Sequence, residues 1–255
     1  MSIDTEITLT PLIVRLEEMV REIPGWSPID QLYTLHLLGL ATAHLQGDFI
    51  EIGSWCGRSA IVLGEAGRSI GNTRIHCIDL FPQRNDWKQS PDGSYFFEVQ
   101  VNGRLHRAHQ EQTVWANAFD TQVAPIYEDF ASPLDCFKKQ IKRFDLGEII
   151  QIHRGDSTAF ASTLPDGFRC KLAFIDGDHG YKAVCQDIKI VKDRLVSGGW
   201  ICFDDAFSSY EWVNRAIRDL ILADPQFDLC QQMTRKLFVA RKKPNLDTFA
   251  KRSIA

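Results

Sequence analysis

Four carboxylates and a histidine lie in two short segments of this 255-residue sequence. The segment FIDGDHGY contains Asp176, Asp178 and His179, and the segment CFDDAF contains Asp204 and Asp205. Clustered carboxylates repel one another unless a cation neutralises them, and oxygen ligands suit Mg²⁺, with Mn²⁺ or Ca²⁺ as alternatives. The pattern therefore predicts a divalent-cation site. The alternative is ion pairing with lysine or arginine, which we consider weaker because few basic residues stand beside the two segments.

A glycine-containing turn lies earlier, in FIEIGSWCGRSA (49–60). Gly53 follows an apolar run and allows a tight turn, and Gly57 allows the backbone to approach a ligand closely. The N–H groups of the helix expected there favour a carboxylate or a phosphate. A turn of this kind without a ligand is the competing interpretation. The spacing is not the G-x-G-x-x-G fingerprint, which argues against an NAD-dependent oxidoreductase.

Polar residues also follow the next two apolar runs. Asp79 ends RIHCID, where a carboxylate can accept both hydroxyls of a ribose. Asp156 and Ser157 follow the third run, where they can meet an adenine amino group. Asp156 is equally well suited to cap the helix that begins there.

The order of elements explains why these residues could meet. Apolar runs alternate with helical periodicity, which predicts an α/β fold with a doubly wound, mostly parallel seven-stranded sheet. The last two strands are close enough in sequence to pair antiparallel at one edge. Every acid named above follows a strand, and ligands of such sheets bind beyond the carboxyl ends of the strands. Strands are predicted at 49–52, 74–79, 148–153, 171–175, 200–203, 227–233 and 236–241, and helices at 7–23, 30–43, 59–66, 133–144, 181–195 and 209–222, with a short helix after Gly155.

A long segment, 82–132, separates the second strand from its expected helix. Loops of this length are usually functional or disordered, and the many aromatic residues here argue against disorder. We expect an inserted substrate cap, with a packing insertion or an oligomer contact as alternatives. The predicted organisation is an N-terminal helical cap (1–46), a catalytic domain (47–243) that contains the insert, and a C-terminal tail (244–255).

Composition excludes several other classes of protein. A net charge of −4 is unsuited to general nucleic-acid binding, which requires a basic face. No stretch approaches the ~20 apolar residues needed to span a bilayer, and the N-terminal residues lack the pattern of a secretory signal. The seven cysteines are scattered without a C-x-x-C pair, which is typical of reduced cytosolic proteins. We therefore expect a cytoplasmic protein with a small-molecule partner and neither nucleic-acid nor membrane partners. A homo-oligomer remains open.

The motif EIGSWCGRSA resembles the first motif of class I S-adenosylmethionine-dependent methyltransferases, and its wording is very similar to that of the catechol O-methyltransferase branch. The resemblance spans roughly 47–207 without the insert, and it implies a Rossmann-like fold. It also implies that the glycine turn holds the methionine part of the cofactor, that Ser59 helps to bind the methionine carboxylate, and that Asp79 binds the ribose. The turn GDS (155–157) resembles the adenine-contacting turn of the family. The implied cofactor-binding residues are Glu51, Gly53, Gly57, Ser59, Asp79, Asp156, Ser157 and Asp176.

The pattern DGDH followed by GG-x-x-x-x-DD resembles the macrocin and sugar O-methyltransferases. That resemblance implies Mg²⁺ or Mn²⁺ bound by Asp176, Asp204 and Asp205, and a general base at His179 or Asp178. We favour His179, since an imidazole has a near-neutral pKa. The expected activity is metal-dependent O-methylation of a small polyol, such as a sugar or a glycosylated natural product. The alternatives are a catechol-type phenolic acceptor, or a different enzyme on the same fold, either an NAD-dependent oxidoreductase or a hydroxylase-like enzyme.

Overall fold

The computed structural model describes residues 12–71, 73–107 and 114–244. The first eleven residues of the predicted N-terminal cap, and all but the first residue of the predicted tail, lie outside the described residues. Within those residues, no helix combines the length and apolar character needed to cross a membrane.

The described elements follow the predicted alternation of strands and helices. The strands are β1 (Asp48–Ile52), β2 (Ile75–Asp79), β3 (Trp87–Gln89), β4 (Tyr95–Val101), β5 (Arg104–Arg107), β6 (Ile150–Arg154), β7 (Cys170–Ile175), β8 (Leu195–Phe203), β9 (Phe227–Gln232) and β10 (Phe238–Lys242). The helices are α1 (Leu12–Val20), α2 (Ile29–Ala41), α3 (Arg58–Ser69), α4 (Ala116–Ala118), α5 (Ala124–Asp129), α6 (Pro133–Arg143), α7 (Ser157–Thr163), α8 (Tyr181–Lys192) and α9 (Glu211–Ile217).

The main sheet has seven strands in the order β6-β2-β1-β7-β8-β10-β9. The first five are parallel, and β10 pairs antiparallel with both β8 and β9. This confirms the predicted α/β fold and its antiparallel terminal pair. The chain builds outward from β1 in both directions, so the order reverses between β1 and β7. A reversal of this kind opens a crevice at the carboxyl ends of the two strands.

The central parallel strands β1 and β7 are buried on both faces, as their mostly apolar sequences predict, whereas the edge strand β6 is only partly buried. In β1, Phe49 faces the layer formed by α1, α2, α3 and α6, and Ile50 faces the layer formed by α7, α8 and α9. One strand differs clearly from its predicted bounds. β8 begins at Leu195, which pairs with Cys170 before the register shifts, whereas the sequence predicted a start at Trp200.

The N-terminal helices are fastened to the glycine turn by Arg58 at the start of α3. Its guanidinium donates to the backbone carbonyls of Val20, Ile23 and Ser27 at 2.6, 2.8 and 3.0 Å. These three bonds hold the end of α1 and the connection to α2 beside the carboxyl end of β1.

The insert, 82–132, has a small fold of its own. β3, β4 and β5 form an antiparallel sheet, and α4 and α5 follow it. Trp87, Phe119 and Val123 form its buried core, and the rings of Tyr95 and Phe119 stack at 3.9 Å. Many of the aromatic residues that the sequence assigned to a cap therefore stabilise the insert itself.

Candidate active site

A cavity of ≈ 830 Å³ lies at the carboxyl ends of the parallel strands. The residues that follow five different strands meet in its wall, because parallel strands all end at the same edge of the sheet. Gly53, Asp79, Asp156, Asp176 and Asp204 all line it. The N-terminal segment and the insert contribute the remaining wall.

The two positions of the turn require glycine for different structural reasons. Gly53 has φ +92°, and a Cβ there would lie 1.9 Å from the backbone oxygen of Asp176, so only glycine fits between β1 and β7. Gly57 has φ +86°, and a Cβ there would lie 2.1 Å from the ring of Phe137. Gly57 does not line the cavity. The structure thus gives Gly57 a packing reason, its close contact with α6, and the close approach of a ligand that the sequence suggested stays a prediction.

Glu51 is fully buried beneath the turn and also does not line the cavity. Burial raises the pKa of its carboxyl to about 7, and the nearby hydroxyls of Ser54 and Ser59 and the Cys77 thiol partly offset this rise. Ser59, in the first turn of α3, lines the cavity. Ser59 therefore faces the cavity directly, whereas the cofactor-binding role expected of Glu51 stays a prediction.

Asp79 organises the floor of the cavity beside the turn. Its Oδ2 accepts the backbone N–H of Trp55 at 2.9 Å, and its Oδ1 accepts that of Phe81 at 2.6 Å. Burial raises the pKa of this carboxyl, and the backbone N–H groups around it work in the opposite direction. Each carboxylate oxygen can accept a second hydrogen bond, which leaves capacity for the two hydroxyls of a ribose.

Asp156 is the N-cap of α7, as the alternative interpretation of the sequence predicted. Its Oδ1 accepts the backbone N–H of Ala159 at 2.6 Å. Its Oδ2 lies 3.7 Å from His106 Nε2 and 3.9 Å from an Arg104 nitrogen, both on β5 of the insert. The insert therefore covers the end of the cavity that the sequence assigned to adenine.

Asp187 on α8 is a cavity residue that sequence reasoning missed. It is buried, it accepts a hydrogen bond from the Ser157 hydroxyl, and burial raises the pKa of its carboxyl to about 7. A signal was present in the sequence. The helical period places position 187 on the same face as Val184 and Val191, both of them core residues.

The acid cluster consists of Asp176, Asp204 and Asp205. One oxygen from each lies within 4.8 Å of the others. The Asp204 side chain is 3% exposed, and its Oδ1 has no hydrogen-bond partner among the described residues. Burial and the Asp204 charge raise the pKa of Asp176 well above its usual value. Three convergent carboxylates and an unpartnered buried oxygen fit a hard divalent cation such as Mg²⁺ or Mn²⁺.

A lysine also reaches this cluster, which corrects the expectation that basic residues are distant from it. Lys236, between β9 and β10, is 8% exposed. Its Nζ lies 2.8 Å from Asp204 Oδ2 and 3.3 Å from Asp205 Oδ1. Burial lowers the Lys236 pKa, but Asp204, Asp176 and Asp205 outweigh burial and raise it. Nothing in the local sequence indicated this contact, because β9 and its flanking turns separate Lys236 from the acids.

Both candidate bases line the cavity. His179 Nε2 lies 3.3 Å from Asp205 Oδ2, and the His179 ring lies 4.0 Å from the ring of Tyr210. Asp178 Oδ1 accepts the backbone N–H of Gly180 at 2.5 Å. Burial works to raise the Asp205 pKa, but His179 and Lys236 together hold it below its usual value.

Tryptophans from three parts of the chain form one wall of the cavity. The ring centroids of Trp26 and Trp55 are 5.8 Å apart, and those of Trp55 and Trp87 are 6.4 Å apart. Trp115 also lines the cavity and is 68% exposed. Sequence reasoning searched only the insert for such residues and so missed Trp26 and Trp55.

Comparison with known sequences finds a matching family and a relative that is matched over only part of its length. The family described as "Methyltransferase domain" matches residues 50–206. An uncharacterized protein, R132 of Acanthamoeba polyphaga mimivirus, is 33% identical over 89 residues, which cover 32% of this chain and 36% of that protein. The matched part thus spans about a third of the length of this relative.

Comparison with solved structures finds the same architecture at low identity. The O-methyltransferase NovP matches with a TM-score of 0.59 and 15% identity over 84% of this chain and 80% of that one. An O-methyltransferase from Bacillus cereus in complex with SAH matches at 0.56 and 16%, over 92% and 94% of the two chains. CalS11, a calicheamicin methyltransferase, matches at 0.53 and 15%, over 90% of each chain. These similarities establish a methyltransferase fold.

Proposed function

Because this chain belongs to the methyltransferase domain family, whose match covers more than half of its length, we propose that it is an S-adenosylmethionine-dependent O-methyltransferase. Its acceptor is a hydroxyl of a small polyol, and a divalent cation takes part. The mildly acidic chain favours a small-molecule acceptor over nucleic acid. The resemblance and the family agree on the reaction class, and the cavity supports the details.

One observation carries this proposal. A single cavity joins Asp79, suited to a ribose, to the acid cluster of Asp176, Asp204 and Asp205, suited to a cation. Its volume of ≈ 830 Å³ lies in the range of pockets that enclose small-molecule ligands. A nucleoside cofactor and a cation-assisted acceptor can therefore be held side by side.

The cofactor half is supported by the turn, the first turn of α3 and the end of β2. The positive end of a helix dipole at Ser59 favours the carboxylate of the methionine part. Asp79 accepts the ribose hydroxyls, and Asp156 and Ser157 border the adenine. The Bacillus cereus relative in complex with SAH has the same fold, which supports this cofactor class.

The catalytic half is formed by the acid cluster and His179. Asp176, Asp204 and Asp205 would hold the cation, which, when bound, lowers the pKa of an acceptor hydroxyl. His179 would take the hydroxyl proton, and its Nε2 lies 3.3 Å from Asp205 Oδ2. When bound, S-adenosylmethionine would supply the methyl group that is transferred to the acceptor oxygen. Asp178 is the weaker base, since Gly180 already engages its Oδ1.

The tryptophan wall supports the proposed class of acceptor. The flat faces of Trp26, Trp55 and Trp115 can pack against a sugar ring and exclude water. CalS11 is described as a calicheamicin methyltransferase, which agrees with an acceptor from natural-product chemistry. The same wall also fits a planar catechol, so phenolic acceptors are the second candidate.

Calorimetric titration of S-adenosylmethionine into the purified protein, with NAD⁺ as control, tests the cofactor. We expect micromolar binding of the first and no binding of the second. Methyl transfer to panels of sugars, glycosides and catechols, each with Mg²⁺ or with EDTA, then tests the acceptor and the cation. Failure to bind S-adenosylmethionine contradicts the proposed function. Equal turnover in EDTA contradicts only the role of the cation.

A further inference from the structure

The acid cluster contains a cation that belongs to the chain itself. The Lys236 ammonium contacts one oxygen of Asp204 and one of Asp205, and Lys236 is almost entirely buried with them. Asp176 also acts electrostatically on this ammonium. One positive charge is thus held among three carboxylates, at the place where the proposed function requires a divalent cation.

The lysine and a divalent cation compete for the same groups. Oxygens of Asp204 and Asp205 that accept hydrogen bonds from Lys236 are less available as metal ligands. An ammonium beside the cluster also repels a second cation, and this repulsion is little screened inside a protein. The remaining oxygen of Asp204, Oδ1, is buried without a partner among the described residues, so the lysine leaves the cluster incompletely satisfied.

We propose that Lys236 is a built-in counter-ion that preserves the acid cluster without metal and weakens its affinity for divalent cations. This inference rests on the cation site of the proposed function and adds a residue that controls it. On metal binding, the divalent cation then replaces the Lys236 ammonium. Without the lysine, the metal would instead bind carboxylates whose charges nothing neutralises. The enzyme takes up its cation reversibly, with the lysine side chain moving away from Asp204 and Asp205.

The test measures metal binding directly, in protein without acceptor. Mn²⁺ is titrated into wild type and into Lys236→Gln, and free Mn²⁺ is followed by electron paramagnetic resonance. Removal of one like charge next to the ligands should tighten Mn²⁺ binding by at least about tenfold. Unchanged or weaker binding in Lys236→Gln overturns the proposal, since the lysine would then be irrelevant to the ligands or necessary for placing them.

Lys171→Gln is the matched control. Lys171 is also buried, at 3% exposure, but it lies at the start of β7, and its ammonium donates a hydrogen bond to the carbonyl of Leu45. Its loss changes the net charge of the protein by the same amount and should leave Mn²⁺ affinity within a few-fold of wild type. An equal gain in both variants would show a general charge effect and overturn the role of Lys236.

Two further measurements keep the proposal testable. The first applies if Lys236→Gln fails to fold, and the second separates this proposal from a failure of the proposed function. A crystal structure of the wild-type protein with Mn²⁺ should show Lys236 Nζ displaced from Asp204 Oδ2, and an ammonium that stays at 2.8 Å beside the bound metal overturns the proposal. Titration of S-adenosylmethionine into the same proteins reports separately on the cofactor half. If the cofactor binds while Lys236→Gln leaves Mn²⁺ affinity unchanged, only the inference about Lys236 fails.

Discussion

Asp205 occupies the position in the cavity where the proposed cation and the proposed base meet. Its Oδ2 lies 3.3 Å from His179 Nε2, and its Oδ1 lies 3.3 Å from Lys236 Nζ. These neighbours hold its pKa below the usual range in spite of burial, so the carboxylate stays ionised at neutral pH. In the proposed function, this single side chain would bind the cation and also pair with the group that receives the acceptor proton.

Asp205→Ala should abolish turnover while S-adenosylmethionine affinity stays within a few-fold of wild type. The substitution removes one cation ligand and the partner of His179, whereas the turn and Asp79 remain intact. Steady-state kinetics and calorimetry measure the two effects, with the exposed Asp166→Ala as control. A loss of cofactor affinity as large as the loss of turnover would contradict this separation of roles.

His179→Ala should lower kcat by ~10²-fold or more if His179 is the general base. Asp178→Asn should keep kcat within a few-fold, because the Gly180 N–H already engages Asp178. A normal rate in His179→Ala together with a large loss in Asp178→Asn would transfer the role of base to Asp178.

Sequence alone could predict the acids but not their partners. Asp176, Asp204 and Asp205 follow buried strands, and parallel strands bring such residues to one edge whatever the rest of the fold does. Lys236 reaches the same place from the turn between two antiparallel strands, and this contact depends on how separate elements pack, which local pattern does not encode. Asp187 differs, because the helical period already places it on the core-facing side of α8.

At the scale of elements, hydrogen bonds hold the insert together and fasten it to the N-terminal segment. Trp87 Nε1 donates to the Tyr127 hydroxyl at 2.7 Å, and that hydroxyl donates to the Pro82 carbonyl at 2.8 Å. Trp26 of the N-terminal segment hydrogen-bonds to Gln122 within the insert. The length and aromatic content of the segment predicted an ordered insert. Its division into a small core and a cavity wall depends on the short strands β3, β4 and β5. Their sequences show no clear hydrophobic periodicity.

Tyr127→Phe should destabilise the insert and weaken acceptor binding more than cofactor binding. The substitution removes the acceptor of the Trp87 indole N–H and the donor to Pro82, which together should lower the free energy of unfolding by about 1–3 kcal/mol. Acceptor KM should rise, since Trp87 lines the cavity, while S-adenosylmethionine affinity stays within a few-fold of wild type. Thermal unfolding and steady-state kinetics measure these effects, with Tyr33→Phe on α2 as control. An unchanged acceptor KM would contradict a role of the insert in substrate binding.

At the scale of the whole molecule, the fold buries titratable groups whose effects on stability oppose each other. Burial and the neighbouring His76 lower the pKa of His153 to about 4 on the outer strand β6. Burial raises the carboxyl pKa values of Glu51 and Asp187 to about 7. The apolar runs predicted the sheet that buries these groups, because a parallel strand covered on both faces needs such a run. Which polar side chains the sheet would bury was visible only in the assembled structure.

The sign of each contribution follows from the folded and unfolded pKa values. The folded protein keeps the Asp187 proton between pH ~4 and ~7, where the unfolded chain has lost it, so this carboxyl makes stability fall as pH rises through that range. The unfolded chain protonates His153 near pH 6.5, but the folded protein does so only near 4. This histidine therefore makes stability fall as pH decreases from about 6.5 to 4.

Asp187→Asn should accordingly raise the melting temperature above that of wild type at pH 8 and much less at pH 5. The amide has nearly the same shape, can still accept the Ser157 hydrogen bond, and carries no charge to desolvate. Each unit of pKa shift corresponds to about 1.4 kcal/mol, so the gain at pH 8 should be on the order of a few kcal/mol.

His153→Gln should show the opposite dependence, with its relative gain at pH 5 rather than at pH 8. Calorimetric scans of both variants across this range measure the two dependences. Equal gains at both pH values would show that packing, rather than ionisation, dominates at these positions.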